Sequence, residues 1–508
     1  MKRKILQYDV AHGRLPLIDT IIEQTSLLKR FGLTGVMFYM EAEGAVDSLP
    51  IRGRIGAVYL LELKKKLQEL EIEFIPQIQV LGHLSQLLMH QKMAAWRDDP
   101  AGGECIRIDL PEVRQGIKSY LREVVGYFDS DYVHCGGDEA FTLGLGRSGS
   151  YFKTCGFENA VADYLNDLND AIQAMGKKMV LYADELIEYP LLQKKLAADI
   201  IIANWGYCAT DEIFELENRH YAAHDRVTAN RENWITGNAM GEYIFLPFHR
   251  LKDNMNVLLE LGKRSNATTF VISDWGSSEN INPILNTTLG SIYLLRRLED
   301  SSYSEEQFSE ETASLILNSP TPDFMQAFKI MLQSQSEVYW PKSLCRRGPM
   351  FPLLLCGDPD DRVVISYCAV LEQETIVKLE KDLRWVSSVF AAIPDKRLNN
   401  AEWFHDLQAI ARRLLLTVIR TSLCREHTWY AGAIWLNKAT IQPSIERYES
   451  YRKLAEEDLT WHRKYWKRDH QKTGLNRSCH YLEQAIKAGG KTLHCPENSL
   501  LFFTPQQD

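Results

Sequence analysis

Eight short apolar runs, alternating with helix-period stretches, constrain this fold more than any other feature. They cover residues 5–10, 35–40, 74–80, 132–135, 179–183, 200–205, 226–231 and 269–274. Between them lie stretches such as 57–70 and 111–127, where apolar residues recur at helical spacing. Repeated β–α units build a parallel sheet, and eight of them predict a closed (β/α)8 TIM barrel. An open doubly wound sheet is the runner-up, but its phosphate-binding fingerprint is missing from the strand ends. Gly144-Leu145-Gly146-Arg147-Ser148-Gly149 has the G-x-G-x-x-G spacing. It follows a pair of acids instead of closing directly on a strand, and reads as a flexible loop.

Beyond about residue 341 the texture changes. Pro341, Pro349, Pro352 and Pro359 punctuate a connection, and helical patterns follow over 362–390, 401–431 and 443–465. The expected fold is thus α/β, a catalytic barrel over 1–340 with a mainly α-helical C-terminal domain over 341–508.

Bulk properties narrow the partners. With 508 residues, 45% hydrophobic and 25% charged, the chain is an ordinary globular one. A net charge of -9 lacks the basic footprint that nucleic acid requires. The basic stretch Arg463-Lys464-Tyr465-Trp466-Lys467-Arg468 reads as a solvated helix face. The N-terminus reaches Asp9 before any signal-like apolar region, and no apolar run is long enough to span a bilayer. The ten cysteines show no metal-like CxxC spacing and read as reduced thiols. A cytoplasmic location is therefore expected, with no membrane partner and with a homodimer left open. In that setting the Asn-x-Thr sites at Asn266 and Asn286 carry no glycosylation meaning.

Barrel chemistry sits at the C-terminal ends of the strands. Read in order, those ends carry Asp9; Glu41 and Glu43; Gln79 with His83; Asp138 with Glu139; and Asp184 with Glu185. Trp205 and Tyr207, Asn233 with Trp234, and Asp274 with Trp275 follow. Taken singly, a Trp is more often core and an acid more often solvated. Jointly, carboxylates that hold hydroxyls and rings that stack on apolar faces suit a sugar.

His134-Cys135-Gly136-Gly137-Asp138-Glu139 is the sharpest signal. Neighbouring acids repel and desolvate badly, so they contribute nothing to a core. On a strand their side chains point apart, and only a turn brings both to one bond. The two glycines permit that turn at low steric cost. Such a pair divides labour: one acid donates a proton while its neighbour stabilises charge. A solvated strand-to-loop pair is the plainer reading in isolation. Metal binding by His83, His134 and the strand-end acids is the competing use, but no His-x-His or His-Glu-x-x-His occurs, and neither a metal nor another cofactor is expected. No G-x-S-x-G elbow supports serine chemistry.

With these residues in place, the chain resembles glycoside hydrolase family 20, and within it the hexosaminidase D-like β-N-acetylhexosaminidases. Residues 132–140, Tyr132 to Ala140, look like the family's His-x-Gly-Gly-Asp-Glu signature. Asp9 resembles its first-strand Asp, and Pro76 to His83 its third-strand Gly-His segment. Leu181 to Glu185 resembles the fifth-strand Trp-Asp-Asp, with Tyr182 in place of Trp. Trp205-Gly206-Tyr207 resembles the sixth-strand Trp-x-Tyr, and Asp274-Trp275-Gly276 the last-strand Trp. The likeness covers most of 1–295 and is looser around 466–474. Three departures stand out. The first-strand Arg that holds sugar hydroxyls has no clean counterpart, with His12 and Arg14 both nearby. The wider family's small N-terminal α/β domain is missing, and Glu279 comes late for the terminal Trp-Gly-Glu.

The resemblance implies a retaining exo-glycosidase that removes terminal β-linked N-acetylhexosamine from a glycan or glycoconjugate. In this class the substrate's 2-acetamido oxygen replaces the enzymic nucleophile and an oxazolinium intermediate forms. Glu139 would be the acid/base, Asp138 the acetamide N–H partner and Tyr207 the donor to its oxygen. Asp9, His83, His134, Asp184, Trp205, Trp234, Trp275 and Glu279 would bind or enclose the sugar. His83 and His134 are equally well read as supports of the acid pair or as satisfied core residues. Two other readings stand: a two-carboxylate glycosidase with Asp184 or Glu185 as nucleophile, and a non-catalytic sugar-binding relative.

Overall fold

The computed structural model of the chain describes residues 1–40, 55–207, 215–241, 243–276, 280–334, 373–435, 445–472 and 474–494. Eight parallel strands close a barrel in chain order: β1 (Arg3–Asp9), β2 (Gly35–Met40), β3 (Glu73–Ile78) and β4 (Tyr132–His134), then β5 (Lys178–Tyr182), β6 (Ile201–Trp205), β7 (Asn233–Asn238) and β8 (Thr269–Asp274). β8 pairs back onto β1, with Tyr8 opposite Asp274. β1 also pairs with β2, Asp9 opposite Tyr39, so these three strands deliver Asp9, Tyr39 and Asp274 to one rim. The expected (β/α)8 barrel is what the chain forms.

Both faces of every strand are buried, which is why the runs read as continuously apolar instead of alternating. Ile5, Met37, Ile75, Val180, Ile201, Ala203 and Val271 fill the interior together with Tyr182, Trp205 and Trp234. Helices cover the outside. The helix Pro111–Val125 opens on a proline, whose missing N–H costs nothing there, and buries Val113, Ile117, Leu121 and Val124. The helix Phe157–Gln173 buries Val161, Tyr164, Leu165, Leu168 and Ile172 on one stripe in the same way.

Strand seven departs from expectation. Residues 226–231 finish the helix Glu215–Thr228 and turn out of it, with Asn230 in the left-handed region at φ 60°. Val227 lends that stretch its apolar look, yet it is a buried helix residue. The guanidinium of Arg231 donates to the carbonyls of Gln193, Leu196, Ala197 and Ile200, which anchors the turn. Trp234 is consequently the second residue of β7 and not its end.

The described residues fall into two compact units. One holds Met1–Ala239, Asp253–Trp275 and Ser291–Ser301, and carries all eight strands. The other comprises Met240–Lys252, Gly276–Gly290 and Ser302–Asp508. Its longer helices are Glu305–Ile316, Pro322–Ser334, Gln373–Ala391, Ala401–Trp435, Ile445–Asp469 and Leu475–His494. The first of these starts on a capping box formed by Ser304 and Gln307. Within this unit the buried Arg413 donates to Asp458 at 2.8 Å and to His462 Nδ1 at 3.1 Å. Burial and the Arg413 and Arg463 charges hold the His462 pKa well below its ordinary value. A neutral His462 can accept from Arg413 and donate from Nε2 to Ser478 at 2.8 Å. The proline-punctuated connection, 341–359, lies outside the described residues. No helix among the described residues is long and apolar enough to cross a membrane.

Candidate active site

The site begins where β4 ends. Gly136 and Gly137 take φ 58° and 85°, which turns the chain so that Asp138 and Glu139 follow on a bend. A Cβ on Gly136 would stand 1.9 Å from Gln79 Oε1, and one on Gly137 would stand 2.7 Å from Leu181 Cδ1. Only glycine fits either position. Glu139 itself has φ 50°, an uncommon backbone for a side chain of its size. Gln79 ties the turn to the barrel: its amide nitrogen donates to Asp138 Oδ1 at 2.9 Å and its oxygen accepts from the Gly137 N–H at 3.2 Å.

His83 spans the two acids. Its Nε2 lies 3.5 Å from Asp138 Oδ2 and 3.4 Å from Glu139 Oε2, while Nδ1 faces Glu104 Oε2 at 3.4 Å. Burial disfavours its charged form, but Glu104, Glu139 and Asp138 outweigh that and push its pKa up to about 11. The ring is therefore an imidazolium at neutral pH, set among three carboxylates. Burial pushes Asp138 up to about 6; His83 and Gln79 oppose the rise and Asp184 adds to it. The two acids thus sit in different surroundings, Asp138 with 11% of its side chain exposed and Glu139 with 34%. Among the described residues no group of three or more His, Cys, Asp or Glu side chains is disposed to hold a metal ion.

The glycine-rich stretch after the acids is pinned, not loose. Asp98 Oδ2 accepts from the N–H groups of Gly144 and Gly146, and Oδ1 accepts from the backbone and hydroxyl of Ser148. Successive backbone N–H groups make an anion cradle, and here the anion is the protein's own carboxylate. A flexible loop was the expectation because nothing in the local pattern announces Asp98.

Aromatic rings form one wall. Trp205, at the end of β6, stacks on Tyr207 with centroids 5.0 Å apart and planes 24° apart. Trp275 donates from Nε1 to the Tyr207 hydroxyl at 2.8 Å and meets Tyr39 edge-on at 5.0 Å. Asp184 fixes Trp205 by accepting its Nε1–H at 2.9 Å, and its other oxygen accepts from the Glu139 N–H at 3.4 Å. Burial keeps the Tyr207 pKa well above its ordinary value, so the hydroxyl stays protonated.

Beside Tyr39 and Trp275 the rim is ionic. Asp9 is buried and accepts from the Ala11 N–H at 3.1 Å, with His12 Nδ1 at 2.6 Å from its second oxygen. Arg14, also buried, donates to Asp274 at 2.5 Å across 260 residues of sequence. Sequence reasoning left Arg14 and His12 open and missed Glu104 altogether, since neither a motif nor a strand end marks it. Two expected sugar contacts lie elsewhere: His134 and Trp234 are 0% exposed, inside the barrel beneath the turn. Glu279, Glu41 and Glu43 lie outside the described residues.

Glu185 is buried beside Asp184. Burial, the Asp184 charge and the Glu188 charge push its pKa up to about 8. An acid whose pKa is raised on folding costs stability above its unfolded value near 4.3, increasingly until the folded value is passed. Glu185→Gln should thus leave stability at pH 4 nearly unchanged and raise it at pH 8, by at most about 5 kcal/mol. Urea melts at the two pH values check this; an equal effect at both would mean that folding does not shift the Glu185 pKa, and a loss of stability confined to pH 8 would mean an ionised, paired Glu185.

Residues 63–234 match the family model described as glycosyl hydrolase family 20, catalytic domain, a span that contains the turn and both acids. The matched span runs from the helix before β3 into the first residues of β7. Solved structures of that family are also similar to the chain, at low identity. An exo β-N-acetylglucosaminidase from Vibrio harveyi has 14% identity and a TM-score of 0.46, over 60% of this chain and 55% of that one. A β-N-acetylhexosaminidase from Bacteroides fragilis has 12% identity and a TM-score of 0.47, over 62% of this chain and 70% of that one. A chitobiase from Flavobacterium johnsoniae has 13% identity and a TM-score of 0.46, over 95% of this chain and 78% of that one. The chain thus spans just over half the length of the Vibrio harveyi enzyme. No curated protein matches it.

Proposed function

We propose that this family 20 barrel hydrolyses terminal β-linked N-acetylhexosamine with retention, the substrate's own acetamide serving as nucleophile. The observation that carries the reading is the His83 ring spanning Asp138 and Glu139, with its Nε2 3.5 Å from one carboxylate and 3.4 Å from the other, in unequal surroundings. The acetamide oxygen attacks the anomeric carbon as the glycosidic bond breaks, and Glu139 gives its proton to the leaving oxygen. Holding the nucleophile on the substrate avoids the entropy of assembling it separately. Asp138 accepts the acetamide N–H and stabilises the oxazolinium charge. Water then attacks the same carbon, loses a proton to Glu139 and restores the acetamide. Tyr207, protonated and oriented by Trp275, donates to the acetamide oxygen. Trp205 and Trp275 wall the sugar, while Asp9, Arg14 and Asp274 offer charged partners for its hydroxyls.

A panel of nitrophenyl glycosides tests this. The β-N-acetylglucosaminide and β-N-acetylgalactosaminide should be cleaved and the β-glucoside should be nearly inert. A thiazoline mimic of the bicyclic intermediate should bind ~10²-fold or more tighter than substrate. A covalent glycosyl adduct trapped on Asp184 or Glu185 would replace this mechanism by the two-carboxylate one. No hydrolysis of any glycoside, with binding retained, would leave a sugar-binding relative.

A further inference from the structure

Beneath the acid pair, the two ring nitrogens of the buried His134 have different surroundings. Nδ1 lies 3.0 Å from the Gly136 nitrogen and accepts its N–H. Burial drives the pKa of His134 down to about 3, so the ring is neutral. A neutral imidazole carries one proton, and an accepting Nδ1 places it on Nε2. That Nε2–H points into the barrel and has no hydrogen-bond partner among the described residues.

Two neighbours share the predicament. Trp234, its ring centroid 6.3 Å from that of His134, has an indole Nε1–H that is buried and equally unpartnered. Gln77 is the register partner of His134 across β3 and β4. Its amide nitrogen donates to the Tyr182 hydroxyl at 3.3 Å, and its Oε1 is left over. Two donors and one acceptor are thus enclosed with no apolar way out. Leaving any of them unsatisfied costs the full desolvation of that group. One water accepts twice and donates twice, which matches the two donors and the acceptor in number and kind.

We propose that an ordered water bridging His134 Nε2, Trp234 Nε1 and Gln77 Oε1 locks His134 in its Nε2–H tautomer, and that His134 is thereby the positioning residue for the Gly136–Gly137 turn. The turn needs the Nδ1 lone pair, since that is where the Gly136 N–H goes. If the tautomer flipped, an N–H would face an N–H and the acids would lose their aim. His134 and Trp234 thus support the chemistry from below without touching substrate.

Nitrogen-15 resonances of labelled histidine in the unliganded protein should show the Nε2–H tautomer. A crystal structure should place a water within about 2.7–3.2 Å of all three atoms. An Nδ1–H tautomer, or a well-ordered map with no such water, overturns the proposal. Both are read without substrate, so they stand apart from the proposed glycosidase activity. Two variants, on which activity is the readout, then separate the two nitrogens. His134→Gln keeps a donor at the Nε2 position and loses the Nδ1 acceptor. Its kcat should fall about tenfold or more, the worth of one lost hydrogen bond of ~1.4 kcal/mol, with little change in KM. His134→Asn keeps the Nδ1-like acceptor and should recover most of kcat while losing the water. The reverse ranking would overturn the positioning role.

Discussion

Glu139→Gln is expected to lower kcat by about 10²–10⁴-fold on a substrate with an ordinary alcohol as leaving group. The amide preserves size and hydrogen bonding and removes the transferable proton. A nitrophenolate departs with little protonation, so the loss on the activated glycoside should be distinctly smaller. Equal losses on both substrates would take Glu139 out of the acid role. A second readout comes from His83, which holds its raised pKa partly through Glu139. In the variant the His83 titration should move down, and this is measurable by NMR even where activity is too low to follow. An unmoved titration would mean that the contact at 3.4 Å contributes nothing to the site.

Asp138→Asn should lower kcat and kcat/KM together by about 10²–10³-fold, since it removes a negative charge from beside a developing positive one. Tyr207→Phe should act in the same direction with a smaller loss, because it removes a neutral donor. The proposed mechanism has both residues act on the acetamide, so the double variant should lose less than the two single losses combined. Strict additivity, or an effect confined to KM, would reduce either residue to holding the sugar. The pH profile adds a test with a definite sign. In the proposed mechanism Asp138 works as a carboxylate, and burial raises its pKa to about 6. In the wild type kcat/KM should therefore be present above that value and fall as pH drops through it. The Asn variant should lack this limb.

The barrel, the order of its strands and the acid pair were legible from residue patterns alone. The first two follow from hydrophobic periodicity, which is local: a strand buried on both faces and a helix buried on one write different spacings into neighbouring residues. The acid pair follows from chemistry that has no structural use, two carboxylates after two glycines. Strand seven shows where local pattern misleads, for Val227 supplies an apolar signal that a helix end uses as well as a strand does. Moving that strand to Asn233–Asn238 turns Trp234 from a rim residue into an interior one.

Which side chains meet depends on how the barrel closes. Arg14 reaches Asp274 because β8 pairs with β1, a closure that no short-range pattern encodes. Asp98 holds a loop almost fifty residues away in sequence, and Glu104 completes the surroundings of His83 from outside any motif. His134 was legible as part of the signature, but its inward direction and tautomer depend on Gly136, Trp234 and Gln77, brought together by three strands. Residue types are chosen locally, whereas orientation, burial and charge partners come from closing the barrel, which is why Asp138 and Glu139, adjacent in sequence, end in different surroundings.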